Sequence, residues 1–405
     1  MLSFTYEARD IKTGNKVSAE VEAESEAAAG RLLTERGLSP LEIVPSKDKA
    51  AKESFLNRLP SKQKVVFSRQ LSTLVNAGLP LVQSLNTVRS QTGNKRLKFI
   101  IGRIVSDVEA GSSLAEAMSR HPKVFGEVYT SLVAAGEASG TLDASLERLA
   151  NQEEKDAEMV SKLRGAMIYP LIVVIVLVGV VTFLLTSVLP QVESLYAGLP
   201  GAKLPFVTQA LLAVAHFVID FWWIILLVLV AGITLSVRWV RTPPGRLFID
   251  GFKMRTWAIG PLFMKVYMAR FARTSATLVS SGVPLIQMLN TTAKAIGNVH
   301  IQAAVAQATE QVRGGKALSA SLSGDRNFLE LVPNMIHIGE QSGALGDMLA
   351  KLADYYEKEV DNQIKSISTV IEPILMVTVG IIALIVVAAV LLPIYTLAGK
   401  NFLSP

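Results

Sequence analysis

The sequence predicts a mainly α, polytopic membrane protein with two homologous cytosolic helical bundles, three transmembrane helices and a small N-terminal ββαβ module. Three observations predict it. Residues 171–189 and 374–392, each 19 long, contain no charged side chain. Much of the remaining chain is written twice, at a spacing of 203–204 residues. The first fifty residues alternate apolar and polar, whereas the rest recurs at the helical period. A mean hydropathy of +0.39 agrees with membrane insertion.

Residues 1–46 carry the module. Phe4, Tyr6 and Ala8 alternate, Lys12-Thr13-Gly14-Asn15 has turn composition, and Val17, Ala19 and Val21 alternate again, which reads as a hairpin. Ser25 is placed to cap a helix through Arg36 that Gly37 closes, and Leu41, Ile43 and Val44 make a third strand. A unit this small holds little core and is expected to dock on something. Residues 47–60, continuing the charged run PSKDKAAKES, form a linker.

Residues 61–169 read as a first bundle of about six helices. The first has apolar Val65, Val66, Phe67, Leu71, Leu74 and Val75 and stops at Ala77-Gly78; Pro80 opens the second. A third runs from Lys95 to Ala110. Ser113 with Glu116 makes a capping box for a short fourth, which Pro122 ends. The fifth covers about 126–138. The sixth starts near Thr141 and meets no breaker before Pro170.

A first span (170–190) follows, then an external loop (191–205), a second span (206–237), a basic connector (238–264), a second bundle (265–372) and a third span (373–397). Nineteen helical residues reach about 28 Å, close to the hydrocarbon thickness of a bilayer. Pro170 and Pro373 stand at the membrane entries and are read as kinks in near-continuous rods. The second span is less tidy, with His216 and Asp220 in its first part and Trp222 and Trp223 as interfacial anchors.

Lysines and arginines orient the chain. Lys155, Lys162 and Arg164 precede the first span. Arg238, Arg241, Arg246, Lys253, Arg255, Lys265, Arg270 and Arg273 follow the second, whereas the loop between the spans holds only Lys203. The positive-inside rule puts the N-terminus and both bundles in the cytosol and the short C-terminal tail outside. The N-terminus lacks the long apolar core of a secretory signal. The net charge of +6 is thus a topology signal first, a signal of acidic lipid or a partner second, and of nucleic acid last, since no stacking aromatics are interleaved.

The duplication is legible phrase by phrase. Phe67-Ser-Arg answers Phe271-Ala-Arg, AGLPLVQSLN answers SGVPLIQMLN, Gly93-Asn94 answers Gly297-Asn298, and GEASGTL at 136–142 answers GEQSGAL at 339–345. In the last pair Gly136, Gly140, Gly339 and Gly343 mark a tight turn between helices, with Thr141 and Asp143 able to cap the next start. Glu137 and Glu340 are candidates for a contact surface or a divalent-ion site. The acids Glu153, Glu154, Asp156 and Glu158, with their echo Glu357, Glu359 and Asp361, read as a solvated helix face.

No catalytic, cofactor-binding or metal-ligating residue is assigned. The chain has no cysteine, which removes thiolate chemistry and Cys-zinc sites, and its four histidines are scattered. It contains no phosphate-binding glycine loop, nucleophile elbow or H-E-x-x-H. His216 and Asp220 could form a relay or metal pair, or simply an interfacial pair near the outer rim. A membrane transporter or channel is the alternative from another class; few ionisable residues in the spans and most mass in the bundles weigh against it.

The paired AGLPL/SGVPL and GEASGTL/GEQSGAL, with RTPPGR at 241–246, IGPLF at 259–263, ARFART at 269–274 and the closing EPILMVTVGIIALIVVAAVLLPIY, resemble the inner-membrane platform proteins of type IV pilus assembly and type II secretion. The resemblance covers about residues 4–395. It implies a non-enzymatic scaffold of the bacterial plasma membrane. The implied partners are a hexameric cytosolic assembly ATPase, pilin or pseudopilin subunits, other inner-membrane alignment proteins, membrane lipid and a second copy of itself. Small residues in the last span (Gly380, Ala383, Ala388, Ala389) would permit close packing against pilin or that second copy.

Overall fold

In a computed structural model of the chain, residues 2–10, 16–23, 26–35, 37–45, 61–197, 205–257 and 259–401 are described. Strands β1 (Leu2–Asp10), β2 (Lys16–Ala23) and β3 (Leu38–Pro45) form an antiparallel sheet of order β2-β1-β3, with helix α1 (Glu26–Glu35) between β2 and β3 in the chain. The register pairs Tyr6 with Ala19 on one side and with Ile43 on the other. Ala8 on β1 and Leu33 on α1 are both fully buried. The expected turn at Lys12-Thr13-Gly14-Asn15, the cap at Ser25 and the linker 47–60 lie outside the described residues.

Six helices follow: α2 (Ser61–Asn76), α3 (Leu81–Gln91), α4 (Lys95–Glu109), α5 (Leu114–Ser119), α6 (Glu127–Ser139) and α7 (Leu142–Phe183). Local chemistry sets their ends. Beyond α2, the Gly78 N–H donates to Val75 O and the Leu79 N–H to Leu74 O, closing a Schellman turn. The Asn94 side chain accepts from the N–H groups of Arg96 and Leu97, both at 3.0 Å, to cap α4. The capping box at α5 is half formed. Ser113 Oγ accepts from the Glu116 N–H at 3.1 Å, but the Glu116 carboxylate turns instead to Arg120. Thr141 does not cap α7; its hydroxyl pairs with Ser139 Oγ at 2.7 Å.

Helix α7 continues through a π-helical turn at Leu184–Val188 into α8 (Leu189–Ala197). Then come α9 (Phe206–Val240) and α10 (Pro243–Arg255). The second set of six comprises α11 (Gly260–Ser280), α12 (Leu285–Ile296), α13 (Val299–Arg313), α14 (Leu318–Leu322), α15 (Leu331–Ser342) and α16 (Leu345–Asn401). It repeats the first in detail. Val283 N–H donates to Leu278 O where Leu79 donates to Leu74. Asn298 caps α13 through the N–H groups of His300 and Ile301, as Asn94 caps α4. Phe271 meets Phe328 at 5.3 Å where Phe67 meets Phe125 at 5.7 Å.

The two lobes share one apolar core. Phe67, Leu71, Ile101, Leu114 and Tyr129 of the first join it with Phe271, Met288, Leu289, Ile301 and Ile336 of the second. Lobes packed in this way must lie on the same side of any membrane. Three helical stretches are long and apolar enough to cross one: Leu142–Gln191, Thr208–Val240 and Leu345–Leu392. Their most apolar portions are 0%, 0% and 6% buried, the inverse of a soluble core helix and the pattern of a lipid-facing one.

Pro170 sits inside α7 and Pro373 inside α16, with helix on both sides of each. Irregular backbone lies at the π turn and at Phe221 within α9, whose φ of −112° and ψ of 16° interrupt the helix expected over 206–237. At the far ends of the spans Leu189, Leu212, Ala215 and Ala389 pack together, and the Thr208 hydroxyl donates to Ala389 O at 3.0 Å. His216 pairs with Glu193 at 3.3 Å.

Candidate functional site

The duplicated phrase is one solution to three packing problems, used twice. Gly136 lies where α6 crosses the start of α7; a Cβ there would stand 2.6 Å from the Ser145 side chain. At Gly339 it would stand 2.9 Å from Leu345 Cα. Only glycine lets the two axes approach this closely. Four residues on, Gly140 (φ 69°) and Gly343 (φ 68°) take the left-handed conformation that ends α6 and α15.

The glutamate between them reaches to a different helix. Glu137 accepts from the Leu114 and Ala115 N–H groups, at 2.5 and 2.9 Å, and so closes the N-terminus of α5 from outside. Glu340 does the same for α14, accepting from the Leu318 N–H at 2.6 Å, the Ser319 hydroxyl at 2.5 Å and the Ser319 N–H at 3.4 Å. A carboxylate on unpaired amides at a helix start is favourable through hydrogen bonding and the helix dipole alike. This geometry uses both oxygens of each acid inside its own lobe. Among the described residues no three His, Asp or Glu side chains are grouped to hold a metal ion.

The acidic run on α7 and α16 is not a solvated face, contrary to the expectation. It is half of an ion-pair ladder. Arg69 on α2 binds Glu154 through Nε at 2.7 Å and Nη2 at 2.5 Å, Glu147 at 2.8 Å and Asn151 at 2.5 Å. Arg273 on α11 repeats this with Glu357 at 2.8 Å and Asp354 at 2.5 Å. Lys64 adds Glu153 at 2.6 Å and Lys265 adds Glu359 at 2.8 Å. The first helix of each lobe is thereby strapped to the helix that enters the membrane. Hydrogen bonds from Ser72 and Arg69 hold Glu147 below the usual carboxylate range, and Arg69 does so for Glu154. Even the well-exposed Glu158 pairs with Lys162, at 2.9 Å.

A second set of contacts joins the lobes. Lys162 binds Asp361 at 2.7 Å, Lys155 stands 3.8 Å from Glu357, and Lys294 binds Glu127 at 2.8 Å. Arg148 donates to Ser280 O at 2.5 Å and Ser281 Oγ at 3.1 Å, and Thr277 donates to Gln152 at 3.2 Å. Between the lobes lies a cavity of about 460 Å³ lined by Lys64, Tyr129, Glu153, Asp156, Arg270 and Lys294 among others. Burial here holds the Asp156 carboxyl above its ordinary range, with the Arg270 charge partly offsetting it. Sequence reasoning gave Arg69 and Arg148 no role, read Arg273 as a topology charge and placed Asp156 on a solvated face. The repeated Phe-x-Arg at the head of each copy, opposite repeated acids, was the signal for Arg69 and Arg273.

These features define a class of protein: a membrane-anchored scaffold of two duplicated lobes, tied by ion pairs to each other and to the rods that enter the bilayer. The family follows from comparison. The model described as type II secretion system (T2SS), protein F matches residues 67–190 and again 271–393, and that of its N-terminal domain matches residues 1–44. The chain belongs to the type II secretion system protein F family. It is 40% identical over 402 residues to the type IV pilus assembly protein PilC of Thermus thermophilus, covering 98% of both chains. It is 38% identical to the PilC of Myxococcus xanthus, covering 98% of this chain and 95% of that one. It is 34% identical to the type II secretion system protein F of Vibrio cholerae over the full length of both.

Proposed function

We propose that the protein is the inner-membrane platform of a type IV pilus or a type II secretion pseudopilus, coupling a cytosolic assembly ATPase to insertion of pilin subunits into a growing filament. The observation that carries this reading is mechanical. Each lobe is strapped by an arginine ladder to a helix that runs on into an apolar span, so a force applied to the lobes reaches the bilayer through α7 and α16. At about 1.5 Å per residue these helices are roughly 63 and 86 Å long, more than a membrane thickness.

In this reading the N-terminus and both lobes face the cytosol, and the loop after the first span and the C-terminus face outward. The chain is a non-enzymatic scaffold, divided as the sequence divides it, and works as a homo-oligomer beside other inner-membrane alignment proteins. Gly380 has open space around it and Ala383 is exposed, which leaves a small-residue strip of the last span free for pilin or a second copy. Ala389 is already used against α9.

The glycines of the duplicated phrase provide the test. Gly136→Arg and Gly339→Arg place a long side chain where a single carbon already collides. Each variant should insert in the membrane yet abolish filaments, counted by electron microscopy. Copurification with the ATPase should fall in parallel. Normal filament numbers in both variants would overturn the coupling role of the lobes.

A further inference from the structure

One repeat earlier than helix α10 stand β3 and residues outside the described ones. Two residues separate α10 from the end of α9, at the same end of that span as the lobes, so it is held within a turn of the bilayer surface. The connection is tight, because Gly245 packs directly on the Trp239 carbonyl and Thr242 caps the helix at Gly245 N. The helix is also fixed to the second lobe. Asp250 accepts from the Val299 N–H at 3.2 Å, and the His300 ring meets Leu247 O at 3.1 Å.

What this fixed helix presents outward is unusual for a face in water. Trp239, Phe248 and Phe252 form a row, with ring centroids 5.6 and 6.4 Å apart, running from the last turn of α9 along α10. Phe248 is 62% exposed, Phe252 59% and Trp257 95%. Around the row stand exposed Arg238, Arg241, Arg246 and Arg255, and none of the four makes an ion pair among the described residues. The acid within 238–257 is Asp250, which is turned into the lobe. Beside the row opens a cavity of about 740 Å³ lined by Phe248, Phe252, Met254, Met264, Arg255 and Arg326 among others.

We propose that α10 is an interfacial strap that docks the second lobe on anionic lipid, with Phe248, Phe252 and Trp257 in the acyl–headgroup boundary and the arginines on lipid phosphates. Two observations select lipid over a protein partner. The apolar row is continuous with the lipid-facing surface of α9 through Trp239. The unpaired charge around it is of one sign, opposite to that of an acidic leaflet. The groove then takes the headgroup and upper chain of one such lipid. The docking is independent of what the lobes bind. It would hold the second lobe flat against the bilayer while the first remains attached through α7 and its contacts with the second.

The absence of cysteine makes the test clean. Single-cysteine variants of the full chain, Leu247→Cys, Phe248→Cys and Phe252→Cys, with Glu310→Cys on exposed α13 as the aqueous control, are spin-labelled and reconstituted in vesicles. One set contains phosphatidylcholine alone and the other 30% phosphatidylglycerol. Labels on α10 should collide strongly with oxygen and weakly with a water-soluble nickel complex in the anionic vesicles, the control showing the reverse. Adding Arg241→Gln, Arg246→Gln and Arg255→Gln should remove the dependence on phosphatidylglycerol, at about fivefold in partition per arginine. All these positions are exposed, so folding is checked by unchanged thermal unfolding in detergent.

Labels as accessible to nickel as the control would overturn the proposal. So would labels shielded from both reagents, which would mean that a protein or a second copy covers the face. Equal oxygen contact in both vesicle types, unchanged by the arginine substitutions, would remove the anionic specificity.

Discussion

Glu137 and Glu340 show how much one side chain can organise. Each leaves its own helix to close the start of another, and each is followed three residues later by the glycine that lets the chain turn. Removing the carboxylate leaves two part-buried backbone donors without a partner, at a cost of about 1–3 kcal/mol. Glu137→Ala and Glu340→Ala should therefore lower the thermal midpoint of the purified protein, and Glu137→Gln should recover part of the loss because one oxygen remains. Asp156 makes the opposite case. Its folded-state pKa is raised, so the unfolded chain ionises first as pH rises, and stability is lost through that window. Asp156→Asn should raise the midpoint at pH 7 and make little difference near pH 3, where both states are protonated. Glu147 and Glu154 have the reverse sign. Their folded pKa values are lowered, so their contribution is present above the ordinary carboxylate range and fades as pH falls below it.

At the scale of elements, the strap between the first helix of a lobe and its membrane-entering helix is the feature to probe. Arg69 is the more solvated of the two arginines, its side chain 32% exposed against 19% for Arg273, and the Arg273 partner Glu357 is only 17% exposed. Arg69→Ala should cost about 1 kcal/mol and Arg273→Ala about 2 kcal/mol or more, because a deeper partner is left with its charge uncompensated. Unfolding midpoints would rank them, and the reverse order would contradict the burial argument. Across the seam, Lys162→Glu and Asp361→Lys should each loosen α7 from α16, and the double exchange should restore the contact. Amide hydrogen exchange along the two helices reads this directly. Burial, although opposed by charge pairing, acts on Arg273 as well; the hydrogen bonds to Glu357 and Asp354 prevail and keep its pKa raised.

The whole molecule sets the two lobes on one side of three apolar helices. The topology proposed above then has a simple consequence. A thiol placed at exposed Ser194, just after the first span, should react with an impermeant reagent in intact cells. Thiols at Glu116 and Glu310, one in each lobe, should react only after the membrane is opened. Labelling of either lobe from outside would invert the assignment of the lobes to the cytosol.

Much of this was legible in the chain before any coordinates. The three spans, the doubled lobes and nearly every helix end could be read, because charge-free stretches, proline and glycine punctuation and capping asparagines act over a few residues. The capping roles of Glu137 and Glu340 could not. Their partners lie 21–23 residues upstream, on a helix whose position depends on how the lobe closes. The same limit explains the acidic run on α7 and α16. A helix's own pattern shows which residues share a face, but not whether water or an arginine from 85 residues away will meet that face. The local code thus determined most of the elements and the three apolar spans, but not α8 and α10, which fall largely in stretches read as loop and connector. Which charges became struts, which were buried between the lobes and which aromatic row was left uncovered were decided only when distant elements packed together, since those interactions exist between surfaces that no short stretch of sequence contains.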